Sequence, residues 1–336
     1  MYTSDPVKLT KIANALSELH IHEKSAYYFK LANQFEETAK RQFYLGYELE
    51  KLGRMHEAAV AFKRSIDLQP SAKAFINLGA VQTRSGELEQ GLASINKAID
   101  IDPKNNTANF NKGVILNGLS NFSEAIHSFQ NAIKLDPFFI EAYYNLSLSL
   151  IEIGEEHQAL EVIEQATKIS PELPLPWVLR GIILIRLKHY HLADEIFELV
   201  TSQNPDLAIG YSNKSLTLYR MKKYRQALET ANIAIELEPS LAEAWLYKGM
   251  ALNQLCQLKD AKESLEVSIR LHPNEIIPQT ILGTILDKLE EKSEAQTLFK
   301  NIIATETQQP EEIAHKGIAY SFLGEYQQST ETLEVI

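Results

Sequence analysis

The sequence is poor in the features that usually anchor a functional assignment. It has one cysteine, Cys256, among 336 residues, so no internal disulfide can form and a reducing compartment is expected. No stretch approaches the ~18 consecutive apolar residues that a membrane-spanning helix needs. The opening MYTSDPVKLTK lacks the basic-then-apolar pattern of an export signal. A cytoplasmic location is therefore expected, and the Asn-x-Ser/Thr matches at Asn105, Asn121, Asn145 and Asn213 are read as chance. Positive charge is also in deficit. With a formal net charge of −11 the chain is a poor match for a phosphate backbone or an anionic lipid surface, so neither nucleic acid nor membrane is expected as a partner.

Catalytic signatures are missing too. There is no phosphate-cradling Gly-x-x-x-x-Gly-Lys, no Gly-x-Gly-x-x-Gly, no Gly-x-Ser-x-Gly and no His-Glu-x-x-His. The nine histidines are scattered, and the two clusters, HIHE at 20–23 and HYH at 189–191, fall in turns without further ligands. Cys256 has no histidine or asparagine at a spacing that suggests an activated nucleophile. No enzyme activity, cofactor or metal is expected.

What the chain does have is a period. Prolines 103, 137, 171, 205, 239 and 273 are each 34 residues apart, and Pro70 precedes Pro103 by 33. Lines laid out on this period begin at residues 6, 39, 72, 106, 140, 174, 208, 242, 276 and 310, with the prolines at position 32. Position 8 is then glycine at Gly46, Gly79, Gly113, Gly181, Gly249, Gly283 and Gly317, and Ala13, Ser147 and Ser215 complete the column. Position 20 is equally small, from Ser25 and Ala58 through Gly91 and Ala125 to Ser329.

Positions 4, 7, 8 and 11 lie on one face of a first helix, and positions 20, 24 and 27 line a second. Small residues at 8 and 20 let the two approach closely, with large side chains at 11 and 24 beside them. Gly53, Gly86, Gly154 and Gly324 at position 15 suit a left-handed cap on the first helix. Pro6, Pro174, Pro176, Pro278 and Pro310 fall in opening turns, where a missing N–H costs little.

Segments such as AEAWLYKGMALNQLCQLKDAKESLEVSIRLHP (242–273) and ANFNKGVILNGLSNFSEAIHSFQNAIKLDP (108–137) resemble the tetratricopeptide (TPR) repeat, and the resemblance covers residues 6–336. It implies an all-α fold, a right-handed α-solenoid of tandem antiparallel helix pairs, as one domain over 1–336 with an incomplete last repeat. The polar first helix of repeat one, with Lys8, Thr10 and Lys11, suits a solvated cap. The chain stops at ETLEVI inside a second helix, leaving Leu333, Val335 and Ile336 uncovered. Either the sequence is a fragment or that end docks on something.

The resemblance also implies that positions 2, 5, 6, 9, 12 and 13 of each first helix face a concave groove. Position 6 holds Asn77, Asn111 and Asn145 in consecutive repeats, then Asn213 after a gap. An amide donates and accepts at once, so such a row suits an extended peptide backbone. The alternative is that asparagine here is inherited from the family pattern or bonds locally. Phe110 and Tyr144 at position 5, with Val114 and Leu148 at position 9, make an apolar floor, unless part of it packs between neighbouring helices. Arg84, Arg186 and Arg220 at position 13 suit an acidic partner, although cations are favoured in the last turn of any helix. No three consecutive repeats supply the lysine, asparagine and arginine set with which co-chaperone TPR domains clamp a C-terminal carboxylate.

The expected function is thus a non-enzymatic scaffold that binds an extended or helical segment of a protein partner. A substrate-targeting arm of a larger enzyme, such as a glycosyltransferase, and a scaffold that self-associates through its C-terminal end stay open as alternatives.

Overall fold

Each line of the repeat folds into two helices joined by a three-residue turn. The computed structural model describes residues 5–307 and 310–334, so Val335 and Ile336 of the apolar C-terminal end lie outside the described residues. The helices gather into two compact units, Met1–Ser170 and Pro171–Ile336. The first contains α1 (Pro6–Glu18) with α2 (His22–Phe35), α3 (Ala39–Lys51) with α4 (Met55–Leu68), and α5 (Ala72–Arg84) with α6 (Leu88–Ile101). It closes with α7 (Asn106–Gly118) paired to α8 (Phe122–Leu135), and α9 (Ile140–Glu152) to α10 (Glu156–Ile169). The second contains α11 (Pro174–Arg186) with α12 (Tyr190–Gln203), α13 (Ala208–Arg220) with α14 (Tyr224–Leu237), and α15 (Ala242–Gln254) with α16 (Leu258–Leu271). It ends with α17 (Ile276–Lys288) beside α18 (Lys292–Ala304), and α19 (Pro310–Phe322) beside α20 (Tyr326–Leu333). Each unit is an all-helical solenoid, and no strand occurs among the described residues.

Helix starts follow local chemistry. Asp5 accepts from the Val7 N–H at 2.9 Å and Asn105 from the Ala108 N–H at 2.9 Å, satisfying donors that the first turn leaves open. Stops are just as regular. In every pair the residue after the turn donates its N–H back to the carbonyl of position 11, as Arg54 does to Leu49 and Lys223 to Leu218, both at 2.9 Å. This closure needs a left-handed residue at position 15. Glycine supplies it at φ 72 to 81° in Gly53, Gly86, Gly154 and Gly324. The other six repeats put His20, Ser120, Lys188, Lys222, Cys256 and Glu290 there at φ 57 to 66°.

Within a pair the small columns meet as expected. A Cβ added at Gly181 would lie 2.4 Å from Phe197 Cζ, and one at Gly113 would lie 2.6 Å from Phe129 Cε1. The position-24 side chain therefore occupies the space that the glycine leaves empty, and Phe29, Phe62, Phe129, Phe197 and Phe299 are fully buried there. In the repeat where position 24 shrinks to Ala231, position 8 grows to Ser215, whose hydroxyl donates to the Ala227 carbonyl at 2.8 Å. Ser25 and Ser329 at position 20 bridge the other way, to the carbonyls of Ala13 and Gly317.

Successive repeats are fastened by a second recurring bond. The position-4 side chain donates to the carbonyl of the preceding position-32 proline: Trp177 to Pro171 at 3.0 Å, Trp245 to Pro239 at 2.9 Å and Gln279 to Pro273 at 2.8 Å. Tyr143 does the same to Pro137 at 3.2 Å in the first unit. The proline stops the second helix, and the next first helix satisfies its carbonyl.

Two stability predictions follow from these contacts. Gly181→Ala and Ala125→Leu should each destabilise by roughly 1–3 kcal/mol, although alanine is the better helix former, because the added atoms meet packed side chains. Circular dichroism melting reads this, and an unchanged midpoint for both contradicts the packing. Conversely, Lys222→Gly should stabilise by about 1 kcal/mol in urea titration by relieving a left-handed backbone, and a loss would contradict the strain assignment.

Candidate functional site

Equal repeat length places equal positions side by side, so the face of the first helices is a copied surface. In the second unit α13 packs directly against both α11 and α15. Their exposed edges, with the start of α17, enclose a groove of about 580 Å³. Its floor is aliphatic: Ile182 and Ile185 from α11, Ile209 and Leu216 from α13, Leu246 and Met250 from α15. All of these fall at positions 2, 5, 9 and 12. Ser212, Asn213 and Tyr247 are set into the same wall, at positions 5 and 6.

The charges around the floor are sorted by position. Arg186 and Arg220, at position 13, lie where the first helices end, and Lys188 and Tyr190 join them from the turn into α12. Glu243, at position 2, lies where α15 begins. Arg220 has no ion pair among the described residues. Ser212 is fully buried, and its hydroxyl has no hydrogen-bond partner among the described residues. Lys188, Tyr190 and Ser212 were not singled out by the sequence. Lys188 enters through the left-handed position-15 geometry, φ 60°, which no residue-type column at that position announces.

The asparagine column is present but partly committed. Asn77 donates its Nδ2 to the Lys73 carbonyl at 3.1 Å, Asn145 to Glu141 at 2.8 Å and Asn213 to Ile209 at 2.8 Å. Each bond runs one turn back along its own helix, the local alternative to peptide contact. It uses one N–H and leaves the second N–H and Oδ1 as chemistry for an occupant. Asn77, Asn111 and Asn145 are half-buried in the first unit, whereas Asn213 is buried to 8% exposure in the second.

The apolar candidates of the first unit divide between two roles. The Phe110 ring lies tilted at 4.8 Å from Phe139 and 5.7 Å from Phe129, so it belongs to packing within and between repeats. Val114, Tyr144 and Leu148 are half-buried on the first-helix face, and burial pushes the Tyr144 phenol above the usual tyrosine value. Arg84 bonds Glu50 of the preceding first helix, so its charge is already answered. Ser149 donates to Asn117 at 2.9 Å and ties α9 to α7.

A second cavity, about 550 Å³, lies between α2 and α4, beside the exposed Tyr27 and Val60. Its charges pair internally. The hydrogen bond from Arg64 holds the Glu37 carboxyl below the usual carboxylate range, and the bond from Arg54 does the same for Glu57, with burial opposing each more weakly. The HIHE cluster is likewise occupied, His22 Nδ1 lying 2.8 Å from the buried Glu48. Among the described residues no three histidine, cysteine, aspartate or glutamate side chains gather as a metal would require. No described helix is long and apolar enough to cross a membrane.

Family models, both described as tetratricopeptide repeat, match residues 107–139 and 140–173, and residues 44–106 and 213–276. The chain belongs to the tetratricopeptide-repeat family. TPR proteins are generally non-catalytic interaction scaffolds. No curated protein matches this sequence. Among solved structures, a tetratricopeptide repeat protein from Parabacteroides merdae is similar with a TM-score of 0.63 and 17% identity, over 74% of this chain and 98% of that one. The human IFIT1 dimer with m7Gppp-AAAA is similar with a TM-score of 0.56 and 14% identity, over 100% of this chain and 90% of that one. At these identities the likeness is to the TPR fold alone.

The local bonds make the asparagine column separable from stability. Asn77→Ala and Asn145→Ala should leave the melting temperature unchanged or raise it, by up to ~0.7 kcal/mol each, since alanine is the better helix former. A loss of more than about 1 kcal/mol in thermal unfolding would make these amides structural instead.

Proposed function

We propose that this TPR chain is a non-enzymatic scaffold that receives an extended segment of a protein partner along the face of its first helices. The observation that carries this is the groove of the second unit, walled by the same positions of α11, α13, α15 and α17. An aliphatic floor removes partner side chains from water, at about 25 cal/mol per Å² of apolar area. The amides of Asn77, Asn111 and Asn145 in the first unit, and of Asn213 in the second, offer a donor and an acceptor to a peptide backbone irrespective of its side chains. Val114, Tyr144 and Leu148 supply apolar contact beside the first-unit amides. A cytoplasmic setting belongs to the same reading and is supported by the single free cysteine.

The test is a peptide array probed with the full chain, the triple variant Asn77→Ala/Asn111→Ala/Asn145→Ala, and the double variant Asn213→Ala/Leu216→Ala. Both variants should keep their helical melting transition and lose array binding by about tenfold or more, equivalent to ~1.4 kcal/mol. Undiminished binding by both variants contradicts the proposal.

A further inference from the structure

We infer that the groove of the second unit selects an acidic extended segment of a partner protein, with carboxylates flanking an aliphatic side chain. The inference rests on the peptide-binding reading above and goes beyond it by assigning the chemistry of the occupant. The first observation is the sorting of charge. Arg186, Lys188 and Arg220 border the groove where the first helices end, while Glu243 is the single acidic residue among those that line it. The whole chain carries a formal charge of −11, so this basic margin is a local reversal against an acidic background. An acidic segment is repelled elsewhere and attracted here, which orients it before contact.

The second observation concerns Arg220. Arg84, the position-13 arginine of the first unit, is bonded to Glu50, and the next two repeats carry Gly118 and Glu152 at that position. Arg220 has no such ion pair among the described residues and is exposed. A guanidinium presents a planar pair of donors that matches a carboxylate in two-point contact. The third observation is the floor. Ile182, Leu216, Leu246 and Met250 form an aliphatic bed suited to a leucine or isoleucine side chain, and methionine adapts to either. Beside it Asn213, with one N–H bonded to the Ile209 carbonyl, keeps its Oδ1 and second N–H for an occupant.

Single-stranded nucleic acid is the competing anion. Its recognition calls for aromatic platforms on which bases stack and for an extended basic track. Tyr190 and Tyr247 line the groove, but its floor is aliphatic and the basic margin is short, so the observations favour the acidic peptide.

The experiment uses the full chain and arrays of nine-residue peptides in three matched sets. A central leucine or isoleucine is flanked by glutamate, glutamine or lysine, and hits are titrated by fluorescence anisotropy. The glutamate set should bind, weaken about tenfold between 50 and 300 mM salt, and weaken about tenfold again in Arg186→Gln/Arg220→Gln. The lysine set should not bind. Equal affinity for the glutamate and glutamine sets overturns the acidic selection while leaving the peptide groove intact. Failure of all three sets overturns both. Binding of fluorescein-labelled oligoadenylate that depends on the same arginines, without binding of the glutamate set, assigns the margin to nucleic acid and overturns the proposal. Circular dichroism melting of the double variant should match the parent, since the Arg220 side chain is exposed and outside the packed columns; a lowered midpoint together with lost binding would make the arginines structural and defeat the assignment.

Discussion

Everything in this molecule depends on how closely the two helices of a pair can approach. The contact is made by what is missing. Glycine, alanine or serine at positions 8 and 20 removes the side chains that would hold the helices apart, and a large residue at position 24 enters the space. The close approach sets where each second helix begins relative to the first, and the three-residue turn with its left-handed position 15 admits one way of joining them. Because each pair is built alike, the next one stacks in the same manner, and a surface position is copied from repeat to repeat. A groove walled by equivalent residues is a consequence of that copying.

The exchange at Ala231 and Ser215 shows that the contact is a shared volume and not a fixed residue pair. When the position-24 side chain shrinks, position 8 takes up part of the space and adds a hydrogen bond. The same economy runs through the polar groups. Position-4 side chains satisfy the proline carbonyls between repeats, and serines at position 20 satisfy carbonyls within a pair. The proline carbonyls between repeats and the serine hydroxyls buried within a pair thus find partners at repeat-encoded positions.

Much of this was legible in the residues. Proline spacing gave the repeat, the small columns gave the helix-pair contact, and the left-handed role of Gly53, Gly86, Gly154 and Gly324 is visible in the structure. What escaped the reading is physical in origin. Lys188, Lys222 and Glu290 adopt the left-handed backbone because the turn's hydrogen bonds and the packed pair outweigh a local penalty of about 1–2 kcal/mol, so side-chain type alone does not announce it. The asparagine column was visible as a pattern, but whether an amide turns to its own helix is decided by distance, and Asn145 lies 2.8 Å from a carbonyl one turn back. Phe110 looked like floor and is largely packing, because Phe139 arrives from the next linker, a neighbour that periodicity alone does not place. The grouping of helices into two compact units depends on contacts that a uniform period does not encode.

In the proposed division of labour the first helices bind and the second helices support them. Hydrogen–deuterium exchange of the full chain, with and without a bound acidic peptide, tests that division most directly. Protection on binding should concentrate in α11, α13 and α15, leaving α12, α14 and α16 little changed. Protection confined to the second helices, or spread evenly over both members of each pair, would contradict it.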